Sequence, residues 1–326
     1  MPETRIAYAE MVQRFTALLE KAGMLPDRVS RCAQLFANAS RDGVPSHGLN
    51  RFAAFIRHVR EGIIASNAVP TKTSGESALE QWDGQHGPGT LNAEFAMGRA
   101  CELAKTHGIG CVALARTNHW MRAGNYGWQA ANAGCIGICW TNATPTMAPW
   151  GAKKRAIGNN PLVIAVPRSN QKHIVLDMAQ SQYSFGKLGV FERAGQQAPL
   201  PAGFDSAGNI TSDPGAILHG GSAMPIGFWK GSGLAIMLDL IASVMANGKA
   251  TWQVAQGRAD QGVSQMFFAL QPGPNTEVIV EDILRSVKAE GEHVLYPGER
   301  ALKNREESMQ KGVLVDSELW NEVLTL

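Results

Sequence analysis

Two side chains that could handle a small anionic substrate lie four residues apart in the segment Ser46–Arg51. The imidazole of His47 can exchange a proton near neutral pH, and the guanidinium of Arg51 can hold a carboxylate through two parallel hydrogen bonds. We expect Asn50 to open a helix, which places His47 at its entrance and Arg51 in its first turn. The alternative is that His47 is a loop histidine and Arg51 pairs with a helix carboxylate such as Asp42.

A second group of polar side chains follows an apolar segment at 109–115, which reads as a buried strand. Asn118 and His119 lie where that strand should end, and active sites of α/β proteins favour strand ends and the loops beyond them. Trp120 and Trp128 flank a glycine-containing loop. They could close on a flat ligand, or they could anchor the core or a subunit interface.

Two single residues complete the candidate chemistry. Asp177 ends an apolar strand pattern, so its carboxylate could bind a ribose or a backbone amide, or cap a helix N-terminus. Lys230 precedes a glycine-rich entry to an apolar helix, where a cation and free amides favour an anion. The alternative for Lys230 is a solvated lysine in a simple turn.

The composition narrows the class of protein. The 326 residues are 44% hydrophobic and 18% charged, as in a globular chain, and a net charge of +2 without a basic cluster argues against nucleic-acid binding. We find no GxGxxG, GxxxxGK[ST], GxSxG or HExxH motif. No apolar run suggests a membrane span, and no signal-peptide core precedes the first helix. The five cysteines, none in a CxxC pair, fit reduced thiols in the cytoplasm. No metal site is expected.

The hydrophobic periodicity predicts helices first and an α/β arrangement afterwards. The predicted helices cover 5–22, 27–42, 51–62, 91–107, 124–133, 231–246, about 276–290, 299–311 and a short terminal segment. The predicted strands cover 78–83, 109–115, 135–142, 162–167, 173–178 and 263–270. A turn-rich stretch occupies 199–228.

Eight segments occur in the order typical of one family: SHGLNRF, NHWMRAGNYGWQAA, GICWTN, PWGAK, GNNPLVIAVP, VLDMA, GFWKGSG and PGER. The chain thereby resembles the malate/L-lactate dehydrogenase type 2 family over almost its full length. The resemblance implies an α/β fold with a non-Rossmann dinucleotide-binding domain, whose sheet is mixed and largely antiparallel, and a helical domain from the two terminal segments. It implies domain bounds of 1–70, 71–298 and 299–326, a homodimer, and NADH as cofactor, with NADPH also possible.

Carried over by position, the resemblance assigns His47 as the catalytic acid, while family members that oxidise their substrate use the residue at His119 as the base. By residue type and position, we expect Ser46, Arg51 and Asn118 to bind the substrate, with Arg51 holding its carboxylate. The resemblance places the cofactor at Asn142, His173, Ile174, Val175, Leu176, Asp177, Met178, Ala179, Trp229, Lys230, Gly298, Glu299 and Arg300. The chain departs from the family at Ala143, where many members carry a cofactor-binding serine, so Asn142 or Thr144 must compensate or the bond is absent.

The implied reaction is NAD(P)H-dependent reduction of a 2-oxo acid. The segments NHWMR, YGWQAA, GICWTN and GFWKGSG are most like those of family members that act on 2,3-diketo-L-gulonate, so a polyhydroxylated substrate is expected. Other members act on malate-, lactate- or ureidoglycolate-like acids or on cyclic imino acids, and these are the alternatives. A non-catalytic acid-binding protein on this scaffold would have lost its proton donor or its cofactor-site lysine, but His47 and Lys230 are both present.

Overall fold

The computed structural model describes residues 3–326. The helices are α1 (Tyr8–Lys21), α2 (Pro26–Arg41), α3 (Leu49–Arg60), α4 (Gly89–His107), α5 (Gly124–Asn132), α6 (Phe185–Arg193), α7 (Pro214–Leu218), α8 (Trp229–Ala246), α9 (Thr251–Val254), α10 (Thr276–Lys288), α11 (Glu299–Lys311) and α12 (Ser317–Thr325). The strands are β1 (Glu3–Ile6), β2 (Thr71–Ser74), β3 (Leu79–Asp83), β4 (Ile109–Thr117), β5 (Ile136–Thr141), β6 (Pro145–Met147), β7 (Ile157–Gly158), β8 (Leu162–Val166), β9 (Ile174–Met178), β10 (Gly203–Phe204), β11 (Ile210–Thr211), β12 (Ser222–Ala223), β13 (Val263–Leu270) and β14 (Val313–Asp316).

A seven-stranded sheet in the order β2-β3-β4-β13-β5-β8-β9 forms the centre of the molecule. Every neighbouring pair in it is antiparallel except β3 and β4. The alternation of β4 sends Val112 and Leu114 to the face covered by α4 and α5, while Ala113 packs with Leu238 of α8 on the other face. The predicted α/β fold with a mixed, largely antiparallel sheet is confirmed.

A second hydrophobic core joins the two ends of the chain. Helices α1, α2 and α3 pack around Phe15, Phe36 and Phe52, with the Phe15 and Phe52 rings stacked at 3.9 Å between centroids. The same core contains residues of β14 and α12, and β14 pairs antiparallel with β1. Burial of this shared apolar surface stabilises the association of the terminal segments.

Helix α8 is apolar on both sides, although only one side packs against the sheet. Leu238 and Ala242 are buried, whereas Met237, Leu240 and Val244 are 52%, 52% and 72% exposed. By length and composition alone, this 18-residue helix could cross a membrane, although the sequence pattern had suggested no such run. The exposed side is therefore a large apolar surface on the described chain.

The predicted elements all occur, with boundaries that differ by a few residues. A five-stranded sheet in the order β11-β10-β12-β6-β7 was not predicted, nor was α6. Three of these strands lie in the stretch interpreted as turns. The strands of this five-stranded sheet have two or three residues each, too few to show an alternating hydrophobic pattern.

Candidate active site

A cleft of about 420 Å³ separates the helical part of the chain from one end of the central sheet. Its walls come from the segment before α3, the loop after β4, the end of β5, the edge strand β9 and the start of α11. The predicted residues among its walls are Ser46, His47, His119, Asn142, Val175, Leu176, Asp177, Ala179, Gly298 and Arg300. Segments far apart in sequence thus form one concave site, and its volume is in the range of small-molecule binding sites.

His47 ends a short 3-10 turn, Pro45–His47, and precedes α3, which begins at Leu49, one residue before the predicted start. Gly48 lies so close to α2 that a Cβ there would approach the Ser40 hydroxyl oxygen to 2.3 Å. That hydroxyl accepts a hydrogen bond from the backbone N–H of Leu49 (2.9 Å). Glycine therefore permits the close contact that fixes His47 at the entrance of the helix.

His119 follows β4 and faces His47, with 5.8 Å between the ring centroids and 19° between the ring planes. The backbone N–H of Met121 donates to His119 Nδ1 (2.9 Å), so the neutral ring carries its proton on Nε2. Gly89 supports this loop, because a Cβ there would lie 2.3 Å from the His119 carbonyl oxygen. The structure thus brings the two predicted catalytic histidines together.

Arg51 lies in the first turn of α3, as predicted, and lines a small adjoining cavity of about 40 Å³. His119, Met121 and Asp260 line both this cavity and the main cleft, so the two spaces meet at those three side chains. The alternative pairing of Arg51 with Asp42 is wrong. Asp42 instead binds three other arginines.

Asp260 was not singled out from the sequence, yet it lies beside His119. Its Oδ1 accepts hydrogen bonds from the backbone N–H (3.1 Å) and the hydroxyl (2.7 Å) of Thr144, and its Oδ2 is 4.0 Å from His119 Nε2. The antiparallel register pairs Val263 of β13 with Thr117 of β4, which brings the residues before β13 next to those after β4. No local sequence motif predicts that Asp260 lies beside His119, because β4 and β13 are remote in sequence.

The two imidazoles share an environment that disfavours positive charge. Burial, the neighbouring His119 and the Arg51 guanidinium lower the pKa of His47 to about 3. Burial lowers the pKa of His119 to about 4, against the opposing effect of the Asp260 carboxylate. Both rings are therefore neutral near pH 7.

The cofactor residues predicted on β9 divide into two groups. Val175, Leu176, Asp177 and Ala179 line the cleft, whereas His173 is buried outside it. The His173 Nδ1 accepts from the backbone N–H of Arg168 (3.0 Å), and its Nε2 is 2.9 Å from Asn132 Oδ1. The side chain of His173 thus holds the β8–β9 connection and leaves any cofactor contact to its neighbours. Ile174 and Met178 also lie outside the cleft lining.

Asp177 accepts a hydrogen bond from the backbone N–H of Gly124 (2.8 Å), the first residue of α5. This carboxylate thus satisfies a free amide at a helix N-terminus, one of its predicted alternatives. Burial raises the pKa of Asp177, against the lowering effects of Arg122 and of the Gly124 amide. The same carboxyl group lines the cleft, where it could also accept a hydrogen bond from a ribose hydroxyl.

A buried ion cluster forms another part of the cleft wall. Asp42 accepts hydrogen bonds from Arg122 (2.5 Å), Arg305 (2.6 and 3.0 Å) and Arg41 (2.7 Å). Burial alone would raise the pKa of Asp42, but the three guanidinium groups hold that pKa far below its usual range. One carboxylate faces three cations, so the cluster keeps excess positive charge, and the buried Nε of Arg122 has no hydrogen-bond partner among residues 3–326.

Three predicted ligands have their polar groups occupied within the chain. Asn118 donates its amide to the carbonyl oxygens of His86 (2.6 Å) and Gly87 (2.9 Å), which leaves only its Oδ1 for a substrate. Asn142 donates to Asp239 and the Lys249 carbonyl and accepts from the Ser264 backbone N–H. The Thr144 hydroxyl donates its proton to Asp260 Oδ1 (2.7 Å), which leaves that hydroxyl only as an acceptor beside Ala143.

The remaining predicted cofactor residues lie at the rims. Glu299 is held by Lys288 Nζ (2.9 Å) and the Tyr296 backbone N–H (3.3 Å), while Arg300 lines the cleft. Trp229 and Lys230 begin α8, are exposed, and lie outside the cleft lining. The preceding Ile226 donates its N–H to the carbonyl oxygen of Gln180 (2.9 Å), directly after Ala179 of the cleft. The start of α8 is therefore close to one end of the site.

A sequence model of the malate/L-lactate dehydrogenase family matches residues 6–324. The chain therefore belongs to this family, and it is an oxidoreductase.

Within the family, the chain is 40% identical to the 2,3-diketo-L-gulonate reductase of Klebsiella pneumoniae (strain 342) over 333 aligned residues, which cover 99% of this chain and all of that protein. Solved structures share the fold. The sulfolactate dehydrogenase of Methanocaldococcus jannaschii has a TM-score of 0.88 at 28% identity, covering 98% of this chain and 95% of that one. The malate dehydrogenase of Pyrococcus horikoshii OT3 has a TM-score of 0.88 at 25% identity, covering 99% and 95%.

Proposed function

We propose that this protein reduces a polyhydroxylated 2-oxo acid, with 2,3-diketo-L-gulonate as the leading candidate, using NADH or NADPH and His47 as the proton donor. The observation that carries the proposal is the facing pair His47 and His119, with Arg51 in the adjoining cavity. The 40% identity with a 2,3-diketo-L-gulonate reductase supports the choice of substrate.

The chemistry of the cleft wall suits part of a nicotinamide dinucleotide. Arg122 and Arg300 place guanidinium groups in the cleft wall, and Asp177 offers an acceptor for a hydroxyl. Gly298 has a φ of 93° and packs so that a Cβ would lie 3.1 Å from the Val175 nitrogen, which keeps this part of the wall open. We propose that these residues, with Leu176 and Ala179, hold the cofactor, which supplies the hydride when bound.

The protein's own part in the reduction is to orient the acid and deliver a proton. Arg51 would grip the substrate carboxylate and so align the carbonyl beside the two imidazoles. His47 would donate a proton to the carbonyl oxygen as negative charge develops there. Ser46 forms a 3.1 Å hydrogen bond with His47 Nδ1, which orients the ring, and His119 would hydrogen-bond the same oxygen or a neighbouring hydroxyl.

A substrate panel tests the proposed function. Purified protein with NADH, and separately with NADPH, is offered 2,3-diketo-L-gulonate, pyruvate and a cyclic imino acid, and loss of the reduced cofactor's absorbance is followed. We expect the sugar acid to have the highest kcat/KM, because buried polar groups left without partners penalise smaller acids. Equal or better use of pyruvate or of the imine would overturn the sugar-acid assignment. No turnover with any of them would overturn the proposed activity.

Arg51→Lys should weaken the apparent affinity for 2-oxo acids while cofactor affinity is preserved. Lysine keeps the charge but loses the planar fork that binds a carboxylate through two hydrogen bonds. Steady-state KM values and a cofactor titration measure the two effects. Unchanged kinetics with a lower melting temperature would instead assign Arg51 a structural role in α3.

Binding of a non-reducible 2-oxo acid analogue such as oxamate should be accompanied by proton uptake near pH 7. The pKa values of His47 and His119 are about 3 and 4, so both rings start unprotonated. A carboxylate beside Arg51 offsets the guanidinium charge and raises these pKa values, so protonation follows binding and increases as pH falls. Calorimetry of the cofactor complex in two buffers with different ionisation enthalpies gives the number of protons taken up. A value of zero at and below neutral pH would contradict this role for the pair.

We propose that the protein is a homodimer in which the exposed side of α8 is covered. Leu240, Val244 and the nearby Trp252 are all more than half exposed and form an unusually apolar surface for a soluble chain. Sedimentation of the intact protein and of Leu240→Glu tests this, with the variant expected to be monomeric. The start of α8 at Trp229 and Lys230 would then lie beside the interface as well as near the cleft.

Lys230→Ala should weaken cofactor binding by about 1–3 kcal/mol, the scale of a hydrogen bond to a charged group. The expectation rests on the cation at the start of α8 and on the contact of that segment with Gln180, next to the cleft. Titration of cofactor fluorescence gives the Kd, and Lys154→Ala, at an exposed loop lysine, is the matched control. An unchanged Kd would assign Lys230 to the solvated surface.

We also propose the domain division 1–70, 71–298 and 299–326. The core shared by α1, α2, α3, β14 and α12 supports a helical unit built from both ends of the chain. Helix α11 bridges the two parts, because Leu302 packs against the core of the sheet while Asn304 and Arg305 contact Asp42.

A further inference from the structure

The two facing histidines have different partners on their Nδ1 atoms. The Nδ1 of His119 accepts a hydrogen bond from the backbone N–H of Met121 (2.9 Å), whereas the Nδ1 of His47 is 3.1 Å from the hydroxyl oxygen of Ser46. A backbone amide can only donate, but a hydroxyl group can either donate or accept. The two rings therefore differ in the protonation states that their neighbours allow.

The contact with Met121 favours one neutral form of the His119 ring. A proton on Nδ1 would face the amide proton of Met121, and the amide would lose its acceptor. The neutral ring therefore holds its proton on Nε2, which has no hydrogen-bond partner among residues 3–326, and the side chain lines the cleft. In this form His119 offers a donor to a ligand but has no free lone pair that could accept a proton.

The charged groups around His119 do not reverse this preference. Asp260 Oδ2 is 4.0 Å from Nε2, too far for a hydrogen bond but close enough to favour a positive ring. Burial outweighs that carboxylate and lowers the pKa of His119 to about 4, and the Arg51 guanidinium acts in the same direction as burial. The titratable neighbours His47 and His58, which line the cleft and the adjoining cavity, add no negative charge.

The backbone that supplies the amide is held in an uncommon conformation. Met121 is buried and has a φ of 61°, in the left-handed region that residues with a side chain rarely adopt. The preceding Trp120 is fixed as well, because its carbonyl oxygen accepts a hydrogen bond from the Tyr126 hydroxyl (2.5 Å). Strained backbone of this kind persists at functional sites where the surrounding structure holds it in place. Here it directs the Met121 N–H to the imidazole of His119.

We propose that Met121 is a positioning residue that keeps His119 as a neutral Nε2–H hydrogen-bond donor, while His47 carries the proton that is exchanged. The inference rests on the proposed function. In the reduction, His119 donates a hydrogen bond to a substrate oxygen without transferring its proton, and His47 protonates the carbonyl oxygen. In the reverse oxidation His47 takes that proton back, and the Ser46 hydroxyl can follow both states of the ring by rotating. His119 is then not the base that the resemblance implies for oxidation.

Nitrogen NMR of the intact protein with isotope-labelled histidines tests the protonation states without turnover. Spectra of the free protein and of its complex with cofactor and oxamate are compared from about pH 5 to pH 8, and His47→Gln and His119→Gln assign the signals. We expect His119 to keep its proton on Nε2 and stay neutral throughout, while His47 becomes protonated when oxamate binds. A protonated His119, or a neutral His119 with its proton on Nδ1, would overturn the inference. If the protein reduced no 2-oxo acid, the proposed function would fail, and the free-protein spectra would still decide the state of His119.

Substitutions of His119 separate a hydrogen-bond donor from a group that transfers a proton. The glutamine side chain can place an N–H near the position of Nε2, but it does not titrate. We expect His119→Ala to lower kcat by about 100-fold or more, as for the loss of one donor to a developing charge. His119→Gln should recover at least about 10-fold of that loss in both reduction and oxidation.

The matched comparison is made at His47, where glutamine should be no better than alanine because a proton must be transferred there. Glutamine that recovers no activity at His119 would overturn the inference. Recovery of reduction without recovery of oxidation would also overturn it, because it would mean that His119 is the base for oxidation.

Discussion

Replacing His47 with alanine is expected to lower kcat for 2-oxo acid reduction by about 100-fold or more, the usual contribution of a general acid. The side chain lines the cleft, faces His119 at 5.8 Å, and hydrogen-bonds Ser46. Without it, the developing alkoxide would have to take its proton from water or from His119. Cofactor affinity should change little, because His47 is not among the residues proposed to hold the cofactor.

The matched control is His107→Ala, which removes an exposed histidine at the end of α4 and should leave kcat unchanged. Single-turnover rates at saturating substrate measure the chemical step, and a cofactor titration checks binding. If His47→Ala retained near-normal turnover while His119→Ala lost it, His119 would be the proton donor. That outcome would preserve the site and reassign the two roles.

The sequence predicted the elements that carry the site because each has a strong local signal. The apolar segment before Asn118 and the helical pattern around Arg51 correspond to β4 and α3. Gly48, between His47 and Leu49, contributes a local constraint that keeps the histidine at the entrance of the helix. Local pattern therefore located the polar residues at the ends of their elements.

Contacts between remote segments could not be predicted in the same way. Asp260 reaches His119 only because β13 is inserted between β4 and β5, and no periodicity reveals which strands pair. The same limit applies to Asn118 and Asn142, whose residue types suit ligands but whose amides bind carbonyl oxygens of other loops. A polar side chain near a site is free for a ligand only if the fold leaves it unpaired.

The outward side of α8 shows a related limit. A helix that is apolar all round predicts burial, but it does not say whether its own chain or another chain covers it. The structure packs Ala235, Leu238 and Ala242 inward and leaves Leu240 and Val244 outside. The inward apolar side of α8 is explained by its packing within the fold, and we explain the outward apolar side by the proposed dimer.

Asp42→Asn is expected to destabilise the protein by about 3–5 kcal/mol, the usual result of removing one partner from a buried ion cluster. The Asp42 carboxylate is buried and binds Arg41, Arg122 and Arg305, and the Arg122 side chain is only 4% exposed. Asparagine keeps the shape but not the charge, so three guanidinium groups would face one another without compensation. The matched control is Asp282→Asn, which breaks an exposed pair with Arg285 and should cost less than about 1 kcal/mol.

The effect should depend on pH with a definite sign. The folded pKa of Asp42 is depressed, so its contribution to stability is present above the unfolded pKa of about 3.9 and is lost as pH falls towards the folded value. Urea unfolding at pH 7 and at pH 3 should therefore show a larger difference between wild type and Asp42→Asn at pH 7. A difference that is small at pH 7, or equal at both pH values, would mean that the three arginines find other partners or water. In that case the three arginines beside the cleft would keep their positions without the Asp42 carboxylate.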